Sequence, residues 1–476
     1  MDNINVCLMN DSFPPEIDGV ANAVTNYARI INARHGAASV VTPSHPQADD
    51  AAFGFPVLRY PSVDMTRLVG YRAGLPFSPE VMGRLEEGQF DLIHTHCPIS
   101  STMLARMLRE RINAPVVFTY HTKFDVDIAN VVSSRLLREE AARILVENIS
   151  ACDEVWTVSR GAGENLRALG YEGEYIVMPN GVDFPRGRVE DALIDEVTRG
   201  VDLPAGVPVF LFVGRMMWYK GIKIILDALK TLAAAGRQFR MVFVGGGTDK
   251  EEIVQYAEEL GLGESVHFCS PIHDRARIRA WYCRADLFLF PSTFDTNGLV
   301  VREAAACALA SVLIAGSCAS EGVTDGVNGF LIKEDAASMA DKLMRLVDAP
   351  EAMRRVGEGA QNELYMSWEE AVSHAWARYH AVIDNYRAGK YPPRERLSDE
   401  MLRAAARGLD MTNHAIDTYK KSVADFMDEV SEERVRLAGT LRAEREQLID
   451  DVRENRANIK ARLDRATDIL KAKDRE

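Results

Sequence analysis

Two cationic side chains, Arg215 and Lys220, stand five residues apart directly after a short apolar run at 209–213. Glycine flanks the pair on both sides, at Gly214 and Gly221. Arginine can bind two phosphate oxygens with its planar fork, whereas lysine supplies a mobile point charge. A cation at the end of a strand and a second one at the start of the next helix can therefore hold a diphosphate. A solvated turn is the alternative, and the flanking glycines make us favour phosphate binding.

Two carboxylates, Asp295 and Glu303, stand eight residues apart where an apolar run passes into a predicted helix. Alone, Asp295 would be interpreted as a helix cap and Glu303 as a surface acid. Together with Arg215 and Lys220 they indicate a ligand site in which Glu303 accepts hydrogen bonds from ribose hydroxyls. Backbone amides at the helix start lack intrahelical acceptors and can bind an anion. The residues expected to contribute there are Asn297, Gly298, Leu299 and Val300.

The first half of the chain contributes Gly19 and His121, which follow predicted strands. Open α/β sheets bind ligands at the carboxyl edge of their strands. A glycine at that edge lets the backbone approach a ligand. His121 directly follows the largely apolar run at 116–120 and is expected at the same edge. The sequence contains no G-x-G-x-x-G after its first strand and no G-x-x-x-x-G-K-S/T motif. Dinucleotide-binding and P-loop proteins are therefore disfavoured.

Two short motifs could suggest a metal site. His94 and His96 lie two residues apart, but no carboxylate or thiol has matching spacing. Asp125 and Asp127 form a D-x-D motif without a suitable strand and loop before it, so we interpret them as exposed loop acids. We expect neither a metal nor a cofactor.

The elements that must position these residues follow a βαβ rhythm that occurs twice. Short apolar runs alternate with amphipathic helical stretches, which predicts parallel sheets with helices on both faces. We expect an N-terminal Rossmann-like domain over 1–183, a linker over 184–206 and a second Rossmann-like domain over 207–367. A helix at 368–390 follows. The fold class is α/β.

Beyond that helix the composition changes, and residues 398–472 contain no proline and almost no glycine. Leu409, Ile416, Val423, Val430 and Leu437 recur every seven residues, and the repeat then lengthens to eleven. Such a pattern requires another helix against it. We predict a long coiled-coil-like extension over 398–476 that forms a homodimer. A helix folded back on the body and a membrane-surface helix are the alternatives.

Composition excludes several classes of protein. Among 476 residues, 47% are hydrophobic and 26% charged, which is typical of globular proteins, and the formal net charge is −14. This acidity disfavours nucleic-acid binding, which needs basic surfaces. The seven cysteines form no C-x-x-C pair, so no zinc ribbon or disulfide framework is indicated. No leader or membrane span is evident, so we expect a cytoplasmic protein, free or peripheral on the inner face of the membrane.

Taken together, these motifs resemble those of the retaining glycosyltransferases of family 4, which have the two-domain GT-B architecture. The resemblance covers roughly residues 1–390. The segments that carry it are Asp18–Val20, Tyr120–Thr122, Val158–Ser159, Pro179–Asp183, Gly214–Gly221 and Asp295–Glu303. Two positions depart from the family pattern: Asp295 replaces the usual glutamate, and Asp18 with Gly19 replaces Gly-Gly. The identity of the sugar therefore stays open.

The resemblance implies roles for the candidate residues. Arg215 and Lys220 would bind the donor's diphosphate together with the helix amides and the Gly19 loop. Asp295 would hold hydroxyls of the transferred sugar, and Glu303 the ribose. His121 would contact the sugar near the reacting face, and the helix at 368–390 would cross back onto the first domain.

The activity implied is transfer of a hexose, with glucose from UDP-glucose as the first candidate, to a hydroxyl acceptor with retention. A membrane lipid such as diacylglycerol is the favoured acceptor. Residues 103–112 are the candidate docking helix because Arg106, Arg109 and Arg111 lie beside apolar residues, although an ordinary half-buried helix is the preferred interpretation of this segment. A soluble acceptor or glycan, and GDP-mannose as donor, are the alternatives. A nucleotide-sugar epimerase and a pseudoenzyme scaffold are more remote hypotheses.

Overall fold

Two parallel β-sheets flanked by helices form the body of the protein. The computed structural model describes residues 4–16, 18–66, 72–124, 128 and 135–391. The predicted extension at 398–476 and its dimerisation lie outside the described residues, as do Asp125 and Asp127. The α/β class with parallel sheets, predicted from the repeated rhythm, is confirmed.

The first domain is built on a seven-stranded sheet in the order β3-β2-β1-β6-β7-β8-β9. A small antiparallel pair, β4 and β5, lies beside it. The strands are β1 Asn5–Met9, β2 Ala37–Pro43, β3 Val57–Tyr60, β4 Ser62–Asp64, β5 Arg72–Gly74, β6 Leu92–Thr95, β7 Val116–Tyr120, β8 Glu154–Thr157 and β9 Ile176–Val177. The helices are α1 Gly19–Arg34, α2 Pro79–Glu87, α3 Ser100–Ile112, α4 Arg135–Ser150 and α5 Arg160–Ala168.

The second domain is built on a six-stranded sheet in the order β12-β11-β10-β13-β14-β15. Its strands are β10 Val209–Val213, β11 Arg240–Val244, β12 Val266–Cys269, β13 Leu287–Leu289, β14 Ser311–Ile314 and β15 Phe330–Ile332. The helices are α6 Asp191–Thr198, α7 Ile222–Ala234, α8 Lys250–Glu259, α9 Arg275–Arg284, α10 Leu299–Ala306, α11 Ala336–Val347 and α12 Pro350–Glu363. Short 3₁₀ turns occupy Asp50–Ala52, Trp218–Lys220 and Cys318–Ser320.

In both sheets the central strands are wholly buried, which explains why their sequences are rich in apolar residues. In each sheet the strand order reverses at the first strand along the chain, β1 or β10. The chain first adds strands on one side of it and later adds strands on its other side. A crevice opens at such a point outside the carboxyl ends of the strands. Gly19 and Arg215 follow these two strands, so the topology places both at a crevice.

The segment predicted as a linker contains a helix. Helix α6 lies inside 184–206, and Ile194 on it is buried in the second hydrophobic core together with Phe184. With only eight residues, the helix repeats its apolar pattern too few times to be recognised in the sequence. The chain therefore enters the core of the second domain soon after β9.

The last described helix, α13 Trp368–Arg387, returns to the first domain. It begins at a capping box, in which Ser367 accepts from the amide of Glu370 and the Glu370 carboxylate accepts from the amide of Ser367. Its buried face joins the first hydrophobic core through Trp368, Trp376 and Tyr379 among others. Burying each large apolar side chain contributes roughly 1.5–3 kcal/mol, which anchors this crossover helix firmly on the first domain.

Helix α3 is a largely buried helix of the first domain, as the preferred interpretation of its sequence expected. Arg106 and Arg109 are buried: Arg106 donates to the Oδ1 of Asn148 at 2.5 Å, and Arg109 donates to the carbonyl of Ala151 at 2.8 Å. Only Glu110 and Arg111 of the helix are exposed. The half-buried interpretation of 103–112 therefore holds and the lipid-docking one does not, because Arg106 and Arg109 bind amide and backbone groups within the fold.

Candidate active site

One cavity of about 410 Å³ is lined by residues of both domains. It brings together every predicted site residue except Glu303. The first domain contributes Asp18, Gly19, Val20, His121, Thr122, Lys123, Val158 and Asn180, and the second contributes Arg215, Lys220 and 294–300. Residues that are far apart in the chain thus converge at the carboxyl edges of β1, β7 and β10, as expected for ligand sites of open sheets.

Lys220 and Asp295 form an ion pair in the wall of this cavity. The Nζ atom of Lys220 lies 2.8 Å from Oδ1 and 2.9 Å from Oδ2 of Asp295. The lysine is buried at 7% exposure. The turn that presents it depends on Gly221, whose φ of +76° favours glycine and whose Cβ position would lie 2.0 Å from the carbonyl oxygen of Pro291. A larger residue at Gly221 would displace the lysine.

Arg215 complements the buried lysine. Its residue is exposed, and no hydrogen bond or ion pair is present for its guanidinium within the described part of the chain. The preceding Gly214 has φ +154° and packs against Gly245, where a Cβ would lie 2.0 Å from the Gly214 carbonyl oxygen. An available arginine and a paired lysine therefore border the same cavity.

The N-terminus of α10 supplies amide donors to the cavity. Its cap, Gly298, has φ +56°, and its carbonyl already accepts from the amides of Val301 and Arg302. The amides of Leu299 and Val300 precede these and have no carbonyl one turn earlier to bond. Beside them, the Nδ2 atom of Asn297 is buried without a hydrogen-bond partner among the described residues. Buried donors are nearly always satisfied, so this amide fits a ligand oxygen.

Glu303 lies one turn into α10 and away from the cavity wall. Its Oε1 accepts from Arg275 at 2.5 Å, and its Oε2 accepts from the hydroxyl of Tyr282 at 3.0 Å. The Arg275 guanidinium stacks 4.4 Å from the ring centroid of Phe184. Burial and then the nearby carboxylate raise the pKa of Tyr282 well above its ordinary value. Sequence analysis missed these partners, because spacings of 28 and 21 residues carry no local pattern.

His121 is buried at the edge of the cavity, and burial lowers its pKa to about 3. Its Nε2 lies 2.9 Å from the Nδ1 of His96, and its Nδ1 lies 3.4 Å from the amide nitrogen of Asn180. At neutral pH the imidazole is uncharged, with one nitrogen that donates and one that accepts. It can therefore orient a hydroxyl but does not supply a positive charge.

The Gly19 loop is arranged differently from the prediction. Asp18 caps α1, and its Oδ1 accepts from the amides of Val20 at 2.8 Å and Ala21 at 2.7 Å. The carboxylate also accepts from the hydroxyl of Ser12. Two amides of the first turn already donate to Asp18. The start of this helix therefore has fewer free amides for an anion than the prediction assumed. Gly19 itself has open space where a Cβ would point.

Direct contacts join the two domains beside the cavity. The carboxylate of Glu321 accepts from the amides of Arg160 at 2.8 Å and Gly161 at 3.3 Å, at the start of α5. The hydroxyl of Ser159 donates to the carbonyl of Thr296. These contacts hold the domains in a closed arrangement around the cavity, and no short motif in the sequence announced them.

A larger depression, of about 860 Å³, lies elsewhere on the first domain. Its lining includes five acids, namely Glu147, Asp153, Glu154, Glu172 and Glu174. The Arg378 in its wall is bound by both carboxylate oxygens of Glu154. An anionic ligand would be repelled there, so we assign the site to the smaller cavity between the domains.

Within the described ranges, no group of three or more histidine, cysteine or acidic residues could hold a metal ion. The expectation of a metal-free, cofactor-free site stays a prediction, since Asp125 and Asp127 are not among those residues. No described helix is long and apolar enough to span a bilayer.

Similarity to known proteins agrees with this geometry. The family model described as "Glycosyltransferase Family 4" matches residues 17–186, and "Glycosyl transferases group 1" matches residues 194–363. A D-inositol 3-phosphate glycosyltransferase of Xylanimonas cellulosilytica is 30% identical over 314 residues, which are 63% of this chain and 72% of the relative. An alpha-monoglucosyldiacylglycerol synthase of Streptococcus pneumoniae is 22% identical over 307 residues, 64% of this chain and 69% of that protein.

The fold also matches solved structures. The Anabaena protein HepE in complex with UDP-glucose aligns with a TM-score of 0.61 at 20% identity, covering 80% of this chain and all of that one. Two parallel-sheet domains sharing a cation-lined cavity define the GT-B class of glycosyltransferases. The chain belongs to glycosyltransferase family 4. The predicted family and enzyme class, a hexosyltransferase, are thereby confirmed.

Proposed function

We propose that the protein transfers a hexosyl group from a UDP-sugar, with glucose as the first candidate, to a hydroxyl acceptor with retention of configuration. The observation that carries this is the single cavity in which Arg215, Lys220 and the α10 amides face His121 from the other domain. This set suits a ligand with a diphosphate at one end and a sugar at the other.

Donor binding would exchange the partner of Lys220. A diphosphate entering beside Arg215 draws the lysine away from Asp295, since two phosphates offer more negative charge than one carboxylate. The freed Asp295 can then accept from hydroxyls of the transferred sugar. As the bond to the anomeric carbon breaks, charge develops on the diphosphate, and the fixed cations and amides lower the barrier.

Retention is proposed from the family resemblance, and a front-face displacement is its proposed route. Asp18 caps a helix, and Asp295, once released from Lys220, would hold sugar hydroxyls, so neither carboxylate is assigned as the nucleophile of a double displacement. The acceptor hydroxyl would instead attack from the face that the diphosphate leaves, and a phosphate oxygen would take its proton. The neutral His121 would hold a sugar hydroxyl.

The nucleotide is proposed from two supports. Glu303 lies one turn into α10, outside the lining of the cavity, and its carboxylate accepts from Arg275 and Tyr282; its remaining lone pairs would accept from ribose hydroxyls of a nucleotide that extends beyond the cavity. The Anabaena neighbour was solved with UDP and with UDP-glucose. GDP-mannose remains the alternative donor.

The acceptor proposal keeps two candidates. A membrane lipid such as diacylglycerol is supported by the Streptococcus relative, although the docking helix first assigned to it is buried. A soluble polyol phosphate is supported by the inositol phosphate relatives. A cytoplasmic, peripheral location accompanies the first candidate, and dimerisation through 398–476 is a separate proposal.

The test is a product analysis with matched variants. Purified protein is incubated with UDP-glucose, UDP-galactose or GDP-mannose, together with diacylglycerol vesicles or inositol phosphate, and products are weighed by mass spectrometry. We expect release of the nucleoside diphosphate coupled to one product that is heavier than its acceptor by one anhydrohexose. A free epimerised sugar would indicate an epimerase, and UDP binding without turnover would indicate a scaffold.

A metal test accompanies it. We expect EDTA to leave turnover unchanged, because Arg215 and Lys220 already supply positive charge at the diphosphate. Loss of activity that Mn²⁺ or Mg²⁺ restores would contradict this and point to Asp125 and Asp127.

A further inference from the structure

Three buried histidines form a continuous row of ring contacts, the histidine stack, behind the cavity. The rings of His94 and His96 are tilted by 38° with centroids 4.0 Å apart, and those of His96 and His121 are stacked at 28° with centroids 5.2 Å apart. His94 and His96 are 0% and 2% exposed. Burial lowers the pKa of both well below the usual value, so the stack is uncharged at neutral pH.

The far end of the stack is held by the crossover helix. The hydroxyl of Tyr379 on α13 lies 2.6 Å from the Nδ1 of His94, and the hydroxyl of Thr119 lies 2.7 Å from its Nε2. The Tyr379 ring stacks on Trp156 at 5.4 Å and 15°. Both ring nitrogens of His94 are thus fixed by a wholly buried contact to α13 and one to β7.

The near end of the stack fixes where the proton of His121 lies. The amide nitrogen of Asn180 can only donate, so the Nδ1 of His121 must accept. A neutral His121 then carries its proton on Nε2 and donates it to the Nδ1 of His96. His96 in turn carries its own proton on Nε2, an atom that is buried without a partner among the described residues.

Asn180 also depends on the crossover helix. The next residue, Gly181, lies so close to the start of α13 that a Cβ would be 2.4 Å from the backbone nitrogen of Trp368. The amide of Val182 donates to the carbonyl of Met366 at 3.0 Å. The two groups that set the nitrogens of His121, Asn180 and His96, are therefore both braced by the segment 366–379.

We propose that the crossover helix fixes the tautomer and orientation of His121 through two routes, Tyr379–His94–His96 and Asn180. His96, Asn180 and Tyr379 are positioning residues, and His121 is the member of this group proposed to hold the sugar. The kinetic part of this proposal rests on the proposed function, whereas the tautomer part does not. These two routes connect the crossover helix α13 to His121, on the side of the cavity proposed for the sugar.

The first test detects the proton directly. Full-length protein labelled with ¹⁵N-histidine is studied by NMR, and the ring signals of His121 are assigned from their loss in His121→Gln. We expect a neutral ring protonated on Nε2 in the wild type. His96→Phe keeps an aromatic ring but removes the acceptor, so the His121 signals should shift. Asn180→Asp replaces the donor with an acceptor, so Nδ1 should gain a proton.

The second test separates positioning from overall stability. In His96→Phe we expect the turnover number to fall between about tenfold and 100-fold, as for a slight misplacement of a reacting group. The dissociation constant for UDP should stay within about twofold, because UDP lacks the sugar. His380→Phe is the control, since His380 lies on the same helix, packs on Trp376 and is outside the stack. It should change neither readout.

Several results would overturn the proposal. A wild-type His121 protonated on Nδ1 would contradict it, and so would unchanged nitrogen signals in Asn180→Asp. Should His96→Phe fail to fold, Asn180→Asp alone decides, because its side chain is nearly isosteric. Absence of any sugar transfer by the wild type would defeat the proposed function, while the NMR result would still decide the tautomer.

Discussion

The ammonium of Lys220 lies between the two carboxylate oxygens of Asp295, 2.8 and 2.9 Å away, in the cavity shared by the two domains. The rings of Tyr219, Phe290 and Phe294 surround it at 5.6–5.9 Å. This pairing keeps a buried positive charge satisfied before the donor arrives. It also places Lys220, proposed to bind the diphosphate, against Asp295, proposed to bind the sugar. Binding of one donor molecule would therefore engage both residues.

Lys220→Ala should lower kcat/KM for the nucleotide sugar by about 10²- to 10³-fold, because it removes a cation aimed at the leaving diphosphate. Steady-state release of UDP measures the effect. Lys223→Ala is the matched control: Lys223 is exposed, three residues away, and paired with Asp227 outside the cavity. Near wild-type rates in Lys220→Ala would refute the assignment of the clamp.

Asp295→Asn should have opposite effects on binding and turnover. Without the carboxylate, Lys220 is free to bind phosphate, so we expect UDP to bind up to about tenfold more tightly. Turnover should fall by about 10²-fold, since the sugar loses its charged acceptor. Isothermal titration and initial rates measure the two effects, with Asp227→Asn as the control. Weaker UDP binding in Asp295→Asn would contradict the exchange of partners.

Stability should depend on pH through the buried histidines. Burial lowers the folded-state pKa of His94, His96 and His121, the last to about 3. Below about pH 6.5 the unfolded chain binds protons that the folded protein does not, so stability falls as the pH falls. Each histidine contributes up to about 1.4 kcal/mol per pH unit.

Denaturant unfolding between about pH 5 and pH 7.5, the range in which an ordinary histidine titrates, measures how the free energy of unfolding changes with pH. His96→Phe should reduce this slope by that of about one titrating group. A free energy of unfolding that does not vary over this range would show that the histidines are not neutral and buried in solution.

Glu321→Gln should weaken the closed arrangement of the domains. The carboxylate accepts from the amides at the start of α5, where a negative charge is favoured by the helix dipole. We expect kcat to fall roughly three- to tenfold, because closure completes such sites. Small-angle X-ray scattering with UDP bound should show a larger radius of gyration. Glu164→Gln, an exposed acid on the same helix, is the control, and equal radii in all three proteins would count against this role.

Local patterns in the sequence were enough to predict the strands that carry the site. The run at 209–213 is wholly apolar, the run at 116–120 is apolar apart from Thr119, and both are buried central strands. The glycines beside the two cations also predicted a turn, and Gly221 forms it in a left-handed conformation. Cavity residues on different elements were therefore brought together as the βαβ topology requires.

What could not be predicted depends on contacts between distant residues. Nothing near Glu303 indicated that Arg275 and Tyr282 bind it, and nothing near His121 indicated the stack behind it. Arg106 looked like a surface charge because its partner, Asn148, is 42 residues away. The role of Asp18 was missed because a helix cap and a ligand-facing loop have the same residues before folding.

The most direct test of the central claim follows the anomeric carbon. The protein is incubated with UDP-glucose labelled with ¹³C at that carbon and with the acceptor identified by mass spectrometry, and the reaction is followed by NMR. UDP-glucose is an α-linked donor, so the account predicts a new α-linked product signal that grows as UDP is released and is absent with Lys220→Ala. A β-linked product, or equal product formation by Lys220→Ala, would contradict it.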